Sequence, residues 1–184
     1  MNPENIKILK EGGVGVIPTD TVYGIACSAF SKTALLRMFE IKGRSENKPP
    51  VVLISNISEL EKFSAKITNK HIELINKYWP GPLTIIFDIS LEFKYLDKGL
   101  GLAIRLPNDQ KIINILMETG ALATSSANHA GESPAKNITE AQEYFHDQVD
   151  FYENGGNLDS LPSTLVRVKD DKIEIIREGV VKLN

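Results

Sequence analysis

TLVRVKDDKIEIIR, residues 164–177, is the stretch that decides the fold class. Two runs rich in β-branched residues flank Lys169-Asp170-Asp171, and this spacing predicts a hairpin of residues 164–168 and 172–177. No helix fits between the runs, so the strands must be antiparallel neighbours. Upstream, residues 83–88 and 102–106 also read as strands, joined by an irregular segment, residues 90–101. An all-parallel sheet needs a long crossover, usually a helix, between its strands. A single-domain α/β fold over residues 1–184, a twisted mixed sheet with flanking helices, fits the pattern better.

The helices announce themselves by their ends. Asn2-Pro3-Glu4 opens one that stops at Gly12-Gly13, before a strand over residues 14–18. Ser31 caps a second, running to about Ile41, with Leu35, Met38 and Phe39 at helical spacing. Residues 51–55 form a buried apolar strand, and Ser58 with Glu61 makes a capping box for a short helix. Thr68 opens a helix carrying Ile72, Ile75 and Trp79, which Pro80-Gly81-Pro82 ends. A further helix spans residues 109–119 and ends at Gly120, then come a small-residue strand over 121–124, a polar loop over 125–137 and a last helix from Thr139.

A chain of 184 residues buries roughly 70% of its unfolded surface, enough for one core without staples. The net charge of −3 argues against a non-specific nucleic-acid coat protein. The lone cysteine, Cys27, excludes an internal disulfide and cysteine-based metal centres. The start lacks the basic and apolar regions of a secretory signal, and no apolar run is long enough to span a bilayer. A cytoplasmic location without membrane contact is expected.

Unusual polar residues gather at strand ends and in the loops beyond, where an open sheet places its ligands. Residues 18–24, PTDTVYG, could ring a small polar ligand, or form a turn that satisfies itself through Thr and Asp side chains. Lys42, Arg44 and Lys48 put three cations in seven residues. They suit phosphate or carboxylate, or else a solvated loop at a helix C-terminus. Thr124-Ser125-Ser126-Ala127-Asn128 offers hydroxyls and an amide to phosphate oxygens or a base edge, or closes a local turn. Arg105 ends an apolar strand and needs a partner, either a carboxylate substrate or an internal Asp or Glu. The hairpin could bring Ser163 and Arg177 to the same end, or leave them as a strand-start hydroxyl bonding its own backbone and an exposed strand-end cation.

No P-loop, dinucleotide fingerprint or G-x-S-x-G elbow is present, and His71, His129 and His146 are too scattered for a metal triad. Cys27, among small residues, reads as a packed thiol. The residues thus describe an anion site rich in Arg, Lys and Ser, without an evident nucleophile or general base.

Taken in order, PTDTVYG, Lys42-x-Arg44, Ser126-Ala127-Asn128, Pro162-Ser163-Thr164 and Arg177-x-Gly179 resemble the YrdC/Sua5/TsaC family of threonylcarbamoyl-AMP synthases. The resemblance covers residues 14–181 and implies a YrdC-like domain with a large, positively charged concave cavity. It also implies a nucleotidyltransferase that joins L-threonine, bicarbonate or CO2, and ATP into threonylcarbamoyl-AMP, releasing pyrophosphate. Mg²⁺ is expected with the ATP. A downstream transferase complex would pass the threonylcarbamoyl group to tRNA, which the chain could itself contact.

By position, Lys42, Arg44, Ser126 and Asn128 match the family's catalytic and nucleotide-contacting tetrad. Thr21, Tyr23, Arg105, Thr124 and Ser163 match positions around L-threonine, with Arg105 on its carboxylate. Lys48, Ser133 and Arg177 fall on the nucleotide side. Ser45, Pro50 and His129 depart from the usual residues. Two alternatives stay open: an RNA-binding module of the same fold, and a YciO-like paralogue with altered activity.

Overall fold

The computed structural model describes residues 1–43, 49–97 and 99–183. Five α-helices and nine strands alternate irregularly along the described chain. They are α1 (Pro3–Lys10), β1 (Val14–Pro18), β2 (Tyr23–Ser28), α2 (Lys32–Ile41), β3 (Val51–Leu53), α3 (Asn69–Tyr78) and β4 (Leu83–Phe87). After them come β5 (Leu102–Arg105), α4 (Gln110–Thr119), β6 (Leu122–Ser126), α5 (Ile138–Phe145), β7 (Phe151–Tyr152), β8 (Thr164–Lys169) and β9 (Lys172–Arg177). Short 3-10 turns cover Ile57–Phe63 and Leu91–Phe93.

All nine strands join one sheet in the order β7-β1-β2-β6-β3-β5-β4-β8-β9. The pairs β1/β7, β3/β5 and β4/β8 are parallel and the rest antiparallel, so the sheet is mixed, as the hairpin required. Helix ends follow the capping chemistry of the sequence. Asn2, Ser31, Asp109 and Asn137 each accept a backbone N–H of the first turn. The expected box at Ser58 and Glu61 does not form; Asn56 caps that 3-10 turn and the Glu59 carboxylate turns back to Ser55.

Strand β2 is the main element the sequence reading lacks. It contains the end of the PTDTVYG stretch and pairs with both β1 and β6. Its signal is an alternation of Tyr23, Ile25 and Cys27 with the small residues Gly24, Ala26 and Ser28. The two-residue strand β7 is likewise new. The Asp150 side chain, held by Arg37, accepts from Val14 N–H and ties the approach to β7 against β1.

Side-chain alternation sends two clusters to opposite faces of the sheet. Val16, Ile25, Val52, Ile104 and Ala123 point to the larger core, which α2, α3 and α5 cover. Ile17, Ala26, Leu53 and Leu122 point to the other face, where α1 and α4 supply Ile6, Leu9, Ile112, Ile115 and Leu116. These two helices cover only part of that second face. The uncovered part carries polar side chains.

Candidate anion-binding site

The site begins with the pleat. Gly24 and Ala26 on β2, Ser126, Thr124 and Leu122 on β6, Val51 and Leu53 on β3, and Arg105 and Ala103 on β5 share a face by alternation. On β4, Thr84 joins that face. By register Gly24 faces Ser126, whereas Arg105 shares its row with Leu53 and Leu122, which lie under α1 and α4, so the polar residues run obliquely across the face. Gly24, Ser126, Thr124, Val51 and Arg105 form the floor of a cavity of about 110 Å³, lined also by Thr19, Thr21, Val22, Pro49, Ser125, Pro162, Ser163 and Arg177. The hollow lies on the sheet face at strand ends and the loops beside them, as the sequence placed it: Arg105, Ser126 and Arg177 end their strands, and Thr19, Thr21, Pro49, Pro162 and Ser163 come from loops.

Arg105 is the centre of the charge. It is 4% exposed, yet it opens into the hollow. Its Nη2 lies 2.9 Å from Asp20 Oδ1, and Nη1 donates to Thr21 Oγ1 at 3.2 Å. Its Nε is buried without a hydrogen-bond partner. Of the two partners the sequence left open, the structure supplies the internal one, Asp20. Burial pushes the Arg105 pKa below its ordinary value; Asp20 opposes this and the nearby Arg177 adds to it.

Ser163 and Arg177 meet as the hairpin predicts. Arg177 donates through Nε and Nη2 to Ser163 O at 3.2 and 2.9 Å, and through Nη2 to Ser163 Oγ at 3.2 Å. Ser163 Oγ also lies 2.8 Å from Thr84 Oγ1, a buried strand hydroxyl that the sequence reading missed. A bulge re-aims the arginine: Leu165 pairs with Arg177 and Val166 with Ile175, leaving Ile176 as the extra residue. Gly179 lets the following chain pass over this corner, because a Cβ there would stand 2.3 Å from Pro162 O. Withdrawal from water lowers the Arg177 pKa as well.

The sequence-derived candidates divide sharply. Thr21, Arg105, Thr124, Ser126, Ser163 and Arg177 share the hollow. Thr124 does so with its hydroxyl donating to Val51 O at 2.9 Å. Tyr23 points to the opposite face, where its hydroxyl donates to Gly156 O and accepts from Gly155 N–H, both at 2.8 Å. Lys42 is buried; its Nζ donates to the backbone carbonyls of Ser126 and Asn128. Asn128 Nδ2 donates to the carbonyls of His129 and Glu132, which fixes the turn after β6. Its Oδ1 is buried without a partner. Ser133 is exposed in the loop, its carbonyl accepting the Tyr144 hydroxyl. Arg44 and Lys48, with Ser45, lie outside the described residues. Cys27 is fully buried and its pKa is pushed up to about 12 by that burial, so its thiol stays protonated and unreactive near neutrality.

Among the described residues no cluster of three His, Cys, Asp or Glu could hold a metal, and the cavity wall carries no carboxylate. That donor set does not fit a protein-held Mg²⁺, which usually keeps one or two carboxylates. Among the same residues no helix is long and apolar enough to cross a membrane.

Fold and hollow together define a mixed-sheet α/β domain with an arginine- and hydroxyl-lined pocket on one sheet face. The chain belongs to the Sua5/YciO/YrdC family, whose model, described as telomere recombination, matches residues 7–179. The threonylcarbamoyl-AMP synthase of Methylobacillus flagellatus is 32% identical over 160 residues, covering 85% of this chain and 89% of the relative. Sua5 of P. abyssi, solved in complex with L-threonine, shares 26% identity and a TM-score of 0.90, covering 96% of this chain but only 53% of the Sua5 chain. E. coli YciO shares 25% identity and a TM-score of 0.87, covering 97% and 89% of the two chains. This chain therefore spans about half the length of the P. abyssi protein and most of the length of the other two.

Proposed function

We propose that the chain is an L-threonylcarbamoyladenylate synthase that uses ATP, L-threonine and bicarbonate or CO2. The observation that carries this reading is the pairing of two guanidiniums, Arg105 and Arg177, across one small hydroxyl-lined hollow. Arg105 offers its guanidinium charge to a carboxylate, and Thr19, Thr21 and Ser163 line the same hollow. L-threonine offers that carboxylate together with a small polar side chain.

The chemistry suits a site without a nucleophile of its own. The threonine amine attacks CO2, a C–N bond forms and the amine proton is lost, giving a carbamate. A carbamate oxygen attacks the α-phosphorus of ATP. The bond from that phosphorus to the bridging oxygen breaks, and pyrophosphate leaves with the electron pair. The chain contributes position and charge: Arg105 fixes one anion, and Arg177 with the Ser125 and Ser126 edge faces the other. With this small hollow holding the amino acid, the nucleotide lies across its mouth. Arg44 and Lys48, matched by sequence to the family's nucleotide positions, belong on the phosphate side in this reading. Lys42 and Asn128 act by shaping the turn that presents Ser126. Mg²⁺ would arrive with the nucleotide and be held by phosphate oxygens.

The product is an activated threonylcarbamoyl group, so the reading includes a downstream transferase acting on tRNA and a cytoplasmic location. The test is incubation with ATP, Mg²⁺, bicarbonate and L-threonine. Threonine-dependent pyrophosphate release, with the adenylate detected by mass spectrometry, is expected. Release that ignores threonine, or none at all, rejects the reading.

A further inference from the structure

Among the described residues the cavity wall has two charged side chains, Arg105 and Arg177. Asp20 stands behind Arg105, off the wall, with a side chain only 7% exposed. Its Oδ2 accepts from Asn108 N–H at 3.3 Å, which anchors it to the turn after β5. Its Oδ1 lies 2.9 Å from Arg105 Nη2, but the alignment is not that of a hydrogen bond, and Oδ1 and Arg105 Nε are both left without hydrogen-bond partners.

This arrangement has a physical meaning. A buried guanidinium without a counter-ion is strongly unfavourable, so the empty site needs a carboxylate of its own. Asp20 supplies that charge from off the wall, so both charged side chains on the wall stay cationic. Two cations and one anion leave this end of the hollow with a net charge of plus one. That balance suits a ligand group with a single negative charge and rewards a doubly charged one less than two bare guanidiniums would.

We propose that Asp20 is a positioning and selectivity residue: it holds Arg105 ready in the empty site and tunes the amino-acid end of the hollow to a monocarboxylate, against dianions. The proposal rests on the reading that the L-threonine carboxylate binds at Arg105. Asp20 acts through Arg105 and takes no part in bond making.

The test compares the wild-type chain with Asp20→Asn and Asp20→Glu. Calorimetry without ATP gives the Kd of L-threonine, and inorganic phosphate is titrated as its competitor. Removing one negative charge a few ångströms from the ligand shifts a dianion more than a monocarboxylate. In Asp20→Asn the affinity for phosphate relative to threonine should rise about tenfold. Asp20→Glu keeps the charge but misplaces it, so the threonine Kd should rise severalfold with that ratio unchanged. A ratio in Asp20→Asn within twofold of wild type overturns the proposal. If Asp20→Asn does not fold, an unchanged threonine Kd in Asp20→Glu overturns it instead, and a raised one supports it. Failure of the wild type to bind L-threonine would reject the functional reading; binding with an unmoved ratio rejects this inference alone.

Discussion

Arg105→Lys separates the two tasks that Arg105 performs. Lysine keeps a cation beside Asp20, so the buried carboxylate retains a counter-ion. It loses the planar fork: the Nη1 bond to Thr21 at 3.2 Å disappears, and so does the Nε–H that has no protein partner. A hydrogen bond to a charged group contributes about 1.5–3 kcal/mol. The KM for L-threonine should therefore rise roughly 10- to 150-fold, with the KM for ATP moving little. Stability should fall by less than in Arg105→Ala, which leaves Asp20 buried and unpaired at a cost of about 3–5 kcal/mol. The assay is pyrophosphate release at saturating ATP with threonine varied, alongside urea midpoints for both variants. An unchanged threonine KM in Arg105→Lys, or an equal rise in both KM values, would refute the assignment.

Two further outcomes follow from side chains away from the hollow. Lys42→Met strips a donor from the carbonyls of Ser126 and Asn128; Ser126 O keeps the Asn128 N–H, so the loss is about 1–3 kcal/mol, chiefly at Asn128 O, and the melting temperature should drop measurably. Because that turn presents Ser126, the KM for ATP should rise more than that for threonine, and equal KM effects would contradict the bracing role. The Arg37 hydrogen bonds hold the Asp150 carboxyl below its ordinary value; burial opposes them and Val14 N–H assists. A carboxyl depressed on folding stabilises the protein above its unfolded pKa, and this contribution fades as pH falls through the folded value. Asp150→Asn should cost about 1–2 kcal/mol at pH 7, and the gap to wild type should close in acid below the ordinary aspartate range. A gap that stays constant with pH would show that Asp150 acts only as a neutral acceptor.

What the sequence made visible depended on whether the signal was local. The 164–177 hairpin, the helix starts at Asn2 and Ser31 and the stop at Gly120 were legible because each is settled within a few residues, whereas Asn56 displaced Ser58 and Asn137 displaced Thr139 as caps. Strand β2 was hidden because Thr19, Asp20 and Thr21 dominate its approach as turn formers, and its inward alternation includes the small residues Gly24, Ala26 and Ser28. Missing it also misplaced Tyr23: once residues 23–28 are a strand, neighbours in sequence lie on opposite faces, and Tyr23 cannot share the hollow with Gly24. Arg105 was legible as a charge ending an apolar strand, and Ser163 and Arg177 as the two ends of the hairpin. The inward turn of Lys42 onto two carbonyls was not, because only tertiary structure brings the end of α2 under the turn after β6.

The central claim is that Arg105 receives an amino-acid carboxylate inside the sheet-face hollow. A crystal structure with L-threonine soaked in at saturating concentration tests it most directly. The threonine carboxylate should lie within hydrogen-bond distance of the Arg105 guanidinium, with Asp20 still beside Nη2. Threonine bound elsewhere, or a carboxylate that ignores Arg105, would contradict it.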